Sequence, residues 1–371
     1  MRKIFETSKI NGMTLKNRLV RSATWEGMCA PGGAVTVKLT DYYKGLAQGG
    51  VGLIITGYAF VRPDGQQMPG QMGVHTDDLV PALAKMVRAV HDSGGTICMQ
   101  LVHVGGQTTP EMIGRQPLAP SAVEAAQYGG VMPAAMTKAD IEEVVEAFGE
   151  GARRAKEAGF DAVQLHAAHG YLINQFLSPL TNRRDDEYGG SLADRCLFLT
   201  EVYDRVRGAV GDAFPVMMKL NGSDNLEGGL DIDDSVEVAR QLDGMGIDAI
   251  EVSGGTAASG EATPVRKKIS KPEKEAYNLP LARRVKEAVS CPVISVGGYR
   301  SFEVAEKTIA DDADYVAISR PLIREPNLPA RWQQGDTSNA TCISCNKCFI
   351  PGIKEGGIYC VVEKEKRAKK A

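Results

Sequence analysis

The sequence predicts an α/β fold, a (β/α)8 barrel, and three observations predict it. Short runs rich in Val and Ile recur along the chain. A longer segment with helical apolar spacing follows nearly every run. The runs are apolar throughout rather than alternating, as strands buried on both faces are. In order, the runs are 18–23, 51–56, 96–101, 162–166, 216–220, 249–253, 293–296 and 315–319. The helical segments are 40–48, 77–93, 137–157, 192–210, 232–245, 279–289 and 302–310. Thr137 followed by Asp140 gives the third of these a capped start. Eight strands alternating with helices argue for a closed barrel. An open doubly wound sheet fits less well, because no G-x-G-x-x-G opens a helix after a strand.

Two insertions break the rhythm. Residues 103–136, rich in Gly, Pro and Ala, follow the third strand, and residues 254–278, with the charged stretch RKKISKPEKE, follow the sixth. Both fall on the C-terminal face, where barrels build active sites. The chain divides into a barrel of residues 1–335 and a cysteine-rich extension of residues 336–371. The extension ends in EKEKRAKK, which reads as a frayed, solvated end.

Composition narrows the function. With 43% hydrophobic residues the chain can fill a large core, and a net charge of −3 leaves no footprint for nucleic acid. The longest apolar run, 51–61, is too short to span a bilayer, and the N-terminus lacks a signal-peptide apolar region. The expectation is a cytoplasmic enzyme with a small-molecule substrate and neither nucleic-acid nor membrane partners. A homo-oligomer is compatible with it.

The most informative segment is 165–195, at the end of the fourth strand. Two of the five histidines, His166 and His169, sit there with Tyr171 close behind. Two imidazole N–H groups can converge on one oxygen as it gains charge, and a tyrosine can supply a proton. A metal site is the competing reading of His-x-x-His. It is weaker, because no carboxylate or cysteine in the segment obviously completes it. One histidine alone reads better as a hydrogen-bonded core group; the pair with Tyr171 does not.

LKNR at 15–18, HAAHGYLINQFLSP at 166–179 and NRRDDEYGGS at 182–191 resemble hallmark segments of the Old Yellow Enzyme family of NADH:flavin oxidoreductases. The resemblance covers the whole barrel. It implies noncovalent FMN, with NAD(P)H and substrate using one flavin face in turn. It implies that Gln100 bonds the flavin pyrimidine edge and that Lys219 lies beside N1 and O2. A lysine there would stabilise the anionic reduced ring. Gly297 and Gly298 after the seventh strand, with Ser319 and Arg320 after the eighth, match the place of the FMN phosphate. Barrels commonly bind phosphate there, through glycine backbone amides and a bidentate arginine. Ser22, Ala23, Thr24 and Trp25 should lie against the flavin near N5. Trp25 departs from the family, which usually carries cysteine, threonine or histidine at that position. Tyr58 likewise replaces a smaller residue and is expected to narrow the pocket.

The last four of the eight cysteines, Cys342-x2-Cys345-x2-Cys348-x11-Cys360, suit a [4Fe–4S] cluster first and zinc second. The tail resembles that of the iron–sulfur members of this family, such as the 2,4-dienoyl-CoA reductases. Their second gap is one residue longer, and they append a second nucleotide-binding half. Without that half, a cluster needs an external electron-transfer partner or is structural.

The expected function is reduction of an activated C=C bond by flavin hydride, with His166 and His169 holding the carbonyl oxygen and Tyr171 giving the proton. The alternative is a flavin dehydrogenase that oxidises a small substrate and sends electrons through a cluster to a carrier protein. A noncatalytic flavin-binding or redox-sensing protein is a third reading, which leaves the three acid–base residues without work.

Overall fold

The computed structural model describes residues 2–125 and 129–369. Residues 126–128, inside the first insertion, and the two last residues of the expected frayed end lie outside this range. The barrel strands are β1 (Leu19–Arg21), β2 (Leu53–Ile55), β3 (Ile97–Val102), β4 (Ala162–Ala167), β5 (Val216–Asn221), β6 (Ala249–Ser253), β7 (Val293–Val296) and β8 (Tyr315–Ile318). Each pairs in parallel with the next, and β8 pairs with β1, with Val316 opposite Leu19, so the sheet closes. A two-residue strand, Ala59–Phe60, adds to the edge of β3.

The outer helices are α1 (Val37–Gln48), α2 (Val80–His91), α3 (Lys138–Glu157), α4 (Leu197–Val210), α5 (Ile232–Gly244), α6 (Leu279–Lys286) and α7 (Phe302–Asp311). Thr137 caps α3 as expected: its hydroxyl accepts from Asp140 N–H, and the Asp140 carboxylate accepts from Thr137 N–H in return. The segment read as one helix over 192–210 is two, Leu192–Arg195 and α4, meeting at Cys196. Arg195 is buried there, and its Nε donates to the Leu177 carbonyl.

The apolar runs are buried on both faces for a geometric reason. Successive side chains alternate between outside and inside. Leu19, Ile54, Leu165, Met218, Val252 and Val316 face out into one core, shared with the helices. Val20, Leu53, Cys98, Ala162, Met217, Ala249, Ile294 and Tyr315 face in and make a second core. A hairpin of Ser8–Ile10 and Met13–Leu15 contributes Ile10, Met13 and Leu15 to that second core, which fills the N-terminal end of the barrel.

Further along the strands the inward positions change character. Ser22, Gln100, Gln164, His166, Lys219, Glu251 and Ser253 are all buried polar groups. The barrel is therefore apolar at its base and polar toward the C-terminal ends of its strands. No helix among the described residues is long and apolar enough to cross a membrane.

The segment expected to fray is helical as far as Ala368. The tail forms short helices at Phe349–Lys354 and Val361–Ala368. Several contacts tie it to the barrel. Ala340 exchanges hydrogen bonds with Arg300, Ile358 N–H donates to the Glu26 carbonyl at 2.8 Å, and Glu363 pairs with Arg324 at 3.0 Å.

Candidate active site

A cavity of about 320 Å³ opens at the C-terminal ends of the strands. Nearly all the barrel residues singled out in the sequence line it. Ser22, Ala23, Thr24 and Trp25 come from the end of β1, Tyr58 from the β2 loop, and Gln100 from β3. His166, His169 and Tyr171 come from β4 and its loop, Lys219 from β5, Gly298 from the β7 loop, and Ser319 and Arg320 from the end of β8. Gly297 does not line it; its carbonyl accepts from Tyr277 N–H.

The floor is a chain of buried polar groups. Lys219 Nζ lies 3.1 Å from Glu251 Oε1 and donates to Ser22 Oγ at 2.9 Å, and Ser22 donates to the same carboxylate oxygen at 2.6 Å. Strand register makes this pair, because Lys219 stands opposite Glu251. The second oxygen of Glu251 accepts from Gln164 Nε2 at 2.9 Å, and Gln164 Oε1 accepts from Gln100 Nε2 at 2.7 Å. The network ends on Gln100 Oε1, which is buried and accepts from no described residue. A buried amide oxygen without a donor is costly, so its position on the cavity calls for a ligand N–H.

Above the floor stands the histidine–tyrosine group. The rings of His166 and His169 lie 5.0 Å apart, and those of His166 and Tyr171 lie 4.7 Å apart, both edge to face. His166 Nδ1 accepts from Ala168 N–H at 3.3 Å, which leaves Nε2 to carry the ring proton. His169 Nε2 is 2.7 Å from Ser253 Oγ. His169 takes a left-handed backbone conformation with φ of 63°, unusual for a residue with a side chain. The turn is fixed by its neighbours: Gln107 Nε2 donates to the His169 carbonyl, and Asn174 Oδ1 accepts from Gly170 N–H.

Electrostatics sets the protonation states. Burial holds both imidazoles well below their usual value; the nearby Lys219 adds to this for both, and His169 for His166. Both are therefore neutral near pH 7. Burial pushes the Tyr171 phenol up to about 12, so it keeps its proton. Its hydroxyl and that of Tyr58 both donate to Gln67 Oε1, at 2.9 and 2.8 Å.

At the far side, Gly298 has φ of 77°, and a Cβ there would come within 2.9 Å of the Tyr277 ring. Only glycine fits that turn. Arg320 Nη1 donates to the Arg266 carbonyl and to Asn346 Oδ1, which joins the β8 end to the tail. Arg320 also lines a second, small cavity together with Cys342, Cys345, Cys348 and Cys360. Among the described residues, no three His, Cys, Asp or Glu side chains are gathered as ligands of a metal ion.

The Trp25 indole N–H donates to the Pro69 carbonyl at 3.1 Å, and its ring packs on Gly352 of the tail. Sequence reasoning missed Glu251, Gln164 and Ser253, although a carboxylate and an amide inside the apolar runs AIEVS and AVQLH were visible signals. It also missed the tail residues Ser344, Phe349 and Ile353, which line the cavity.

The model of the NADH:flavin oxidoreductase / NADH oxidase family matches residues 3–339. The chain belongs to this family. It is 38% identical over 353 residues to an NADH oxidase of Thermoanaerobacter brockii, a match covering 94% of this chain and 54% of that protein. It is 39% identical over 328 residues to an NADPH dehydrogenase of Geobacillus thermodenitrificans, covering 88% of this chain and 92% of that one. A solved old yellow enzyme homologue from Zymomonas mobilis superposes with a TM-score of 0.78 at 27% identity, covering 92% of this chain and 95% of the other. The chain thus spans about half the length of the first relative and nearly all of the other two. The expected family, the barrel and the class of NAD(P)H-dependent flavin oxidoreductase with FMN are borne out.

The two imidazoles impose a pH dependence on stability. Below the usual value of 6.5 the unfolded chain binds protons that the folded protein refuses, so stability falls as pH falls. The urea midpoint should drop between about pH 7.5 and about pH 5.5, and drop less in His166→Asn. Equal drops in both proteins would show that His166 is not held neutral.

Proposed function

We propose that the protein reduces the activated C=C bond of an α,β-unsaturated carbonyl compound. The observation that carries this is one cavity holding two neutral imidazoles and a protonated tyrosine above a floor that ends in a cation and an unpartnered amide oxygen. The floor fits FMN: Gln100 Oε1 would accept from the ring's N–H, Lys219 would lie by its electron-rich edge, and the Gly298 turn with Arg320 would hold the phosphate. Gly297, beside that turn, and Ser22, Ala23, Thr24 and Ser319 would complete the binding site. Bound there, FMN would supply hydride transfer from NAD(P)H to the β-carbon of the substrate.

The residues of the chain do the rest. His166, through its Nε2–H, and His169, by exchanging Ser253 for the substrate, hold the carbonyl oxygen and stabilise its growing negative charge. Neutral imidazoles suit this, because they donate a hydrogen bond to the oxygen without giving up their proton to it. Tyr171 delivers a proton to the α-carbon, with Tyr58 and Gln67 fixing its hydroxyl. Trp25 closes the side of the cavity toward the tail.

We further propose that Cys342, Cys345, Cys348 and Cys360 hold a [4Fe–4S] cluster within the extension of residues 336–371. The support is the sequence spacing of the four cysteines and their place around one small cavity.

Two experiments test these readings. Tyr171→Phe should slow reoxidation of the enzyme by an enone about 100-fold while sparing flavin reduction by NAD(P)H, both followed by anaerobic rapid mixing. Equal loss in both steps would remove Tyr171 from the proton-transfer role. Failure of NAD(P)H to bleach the flavin at all would favour the dehydrogenase alternative. Protein purified without oxygen should contain iron and acid-labile sulfide in equal amounts; zinc alone, or neither element, would end the cluster reading.

A further inference from the structure

We infer that the cysteine-bearing tail forms the outer wall of the substrate cavity and selects unsaturated carbonyl compounds whose apolar body extends beyond a single ring. This rests on the reading above for the carbonyl end of the substrate. Phe349 and Ile353 stand four residues apart on the helix Phe349–Lys354, hence on one face, and both line the cavity. Val265 from the β6 loop lines the same cavity. Ile353 is 58% exposed and Val265 37% exposed, so two large aliphatic side chains face water at the entrance. Such an apolar rim, in one cavity with His166, His169 and Tyr171, would orient a ligand, oxygen toward the histidines and hydrocarbon outward.

The wall is fixed in place rather than loosely draped. A Cβ on Gly352 would come within 2.6 Å of the Trp25 ring, so helix and indole are in direct contact. Asn346 Nδ2 donates to the Val265 carbonyl at 2.9 Å, and Lys268 N–H donates to the Ser344 carbonyl at 3.2 Å, which ties the two sides of the mouth together. On this inference a second fused ring would meet Phe349 and Ile353 and remove apolar surface from water on both partners, a contact that a one-ring enone would not make.

The test is the ratio of kcat/KM for a fused two-ring enone to that for cyclohexenone. In Phe349→Ala this ratio should fall about tenfold, Phe349→Leu should restore part of it, and Ile353→Ser should lower it severalfold. An unchanged flavin spectrum and content establishes that the variants are folded. A ratio within about twofold of wild type in both Phe349→Ala and Ile353→Ser would overturn the proposal. If the wild type turns over neither enone, the catalytic reading fails. The wall is then judged by the same ratio taken from dissociation constants, read through changes in the bound-flavin absorption spectrum.

Discussion

An ammonium group buried on the axis of a barrel has to be paired, and the rest of this site is arranged around that pairing. Lys219 meets Glu251 across one strand register, and Ser22 bridges them from the opposite side of the closure. An unpaired charge at that depth would cost several kcal/mol, roughly the margin of a whole domain. Glu251 then has a second oxygen to satisfy, which brings in Gln164, and Gln164 brings in Gln100. Each group answers the one before it until a single acceptor, Gln100 Oε1, faces the cavity. The floor is thereby rigid and chemically asymmetric: a cation at one point and a lone acceptor at another.

Rigidity below permits precision above. The turn carrying His169 and Tyr171 holds an unfavourable backbone angle, and side chains from neighbouring loops keep it there. The same desolvation that makes the floor network obligatory depresses the imidazoles and raises the phenol. Burial thus sets both the framework and the protonation states that proton donation to a substrate needs. Phe349 of the tail lines the cavity and Gly352 beside it packs on Trp25 at the end of β1, so residues beyond the last barrel strand help shape the pocket.

Much of this was legible in the sequence. The eight apolar runs mark the strands because inward and outward positions are both buried, and the capped start at Thr137 is local chemistry. His166, His169 and Tyr171 are close in sequence, so their meeting was visible too. The less legible parts depend on long-range packing. Glu251 and Gln164 lie inside apolar runs, and nothing nearby shows that they face the axis rather than break a strand. The break at Cys196 comes where buried Arg195 bonds the Leu177 carbonyl, a contact no periodicity reveals. The placement of Phe349 and Ile353 depends on tail contacts with residues such as Glu26 and Val265, hundreds and tens of positions away.

In the proposed reading, the Lys219–Glu251 pair sets the charge beneath the flavin. Its most direct test is the midpoint potential of bound FMN in wild type, Lys219→Met and Glu251→Gln. Removing the cation should make the potential more negative, and removing the anion should make it more positive, because the electron-rich ring is stabilised by positive charge. A Lys219→Met protein with a potential equal to or above that of wild type would contradict the account.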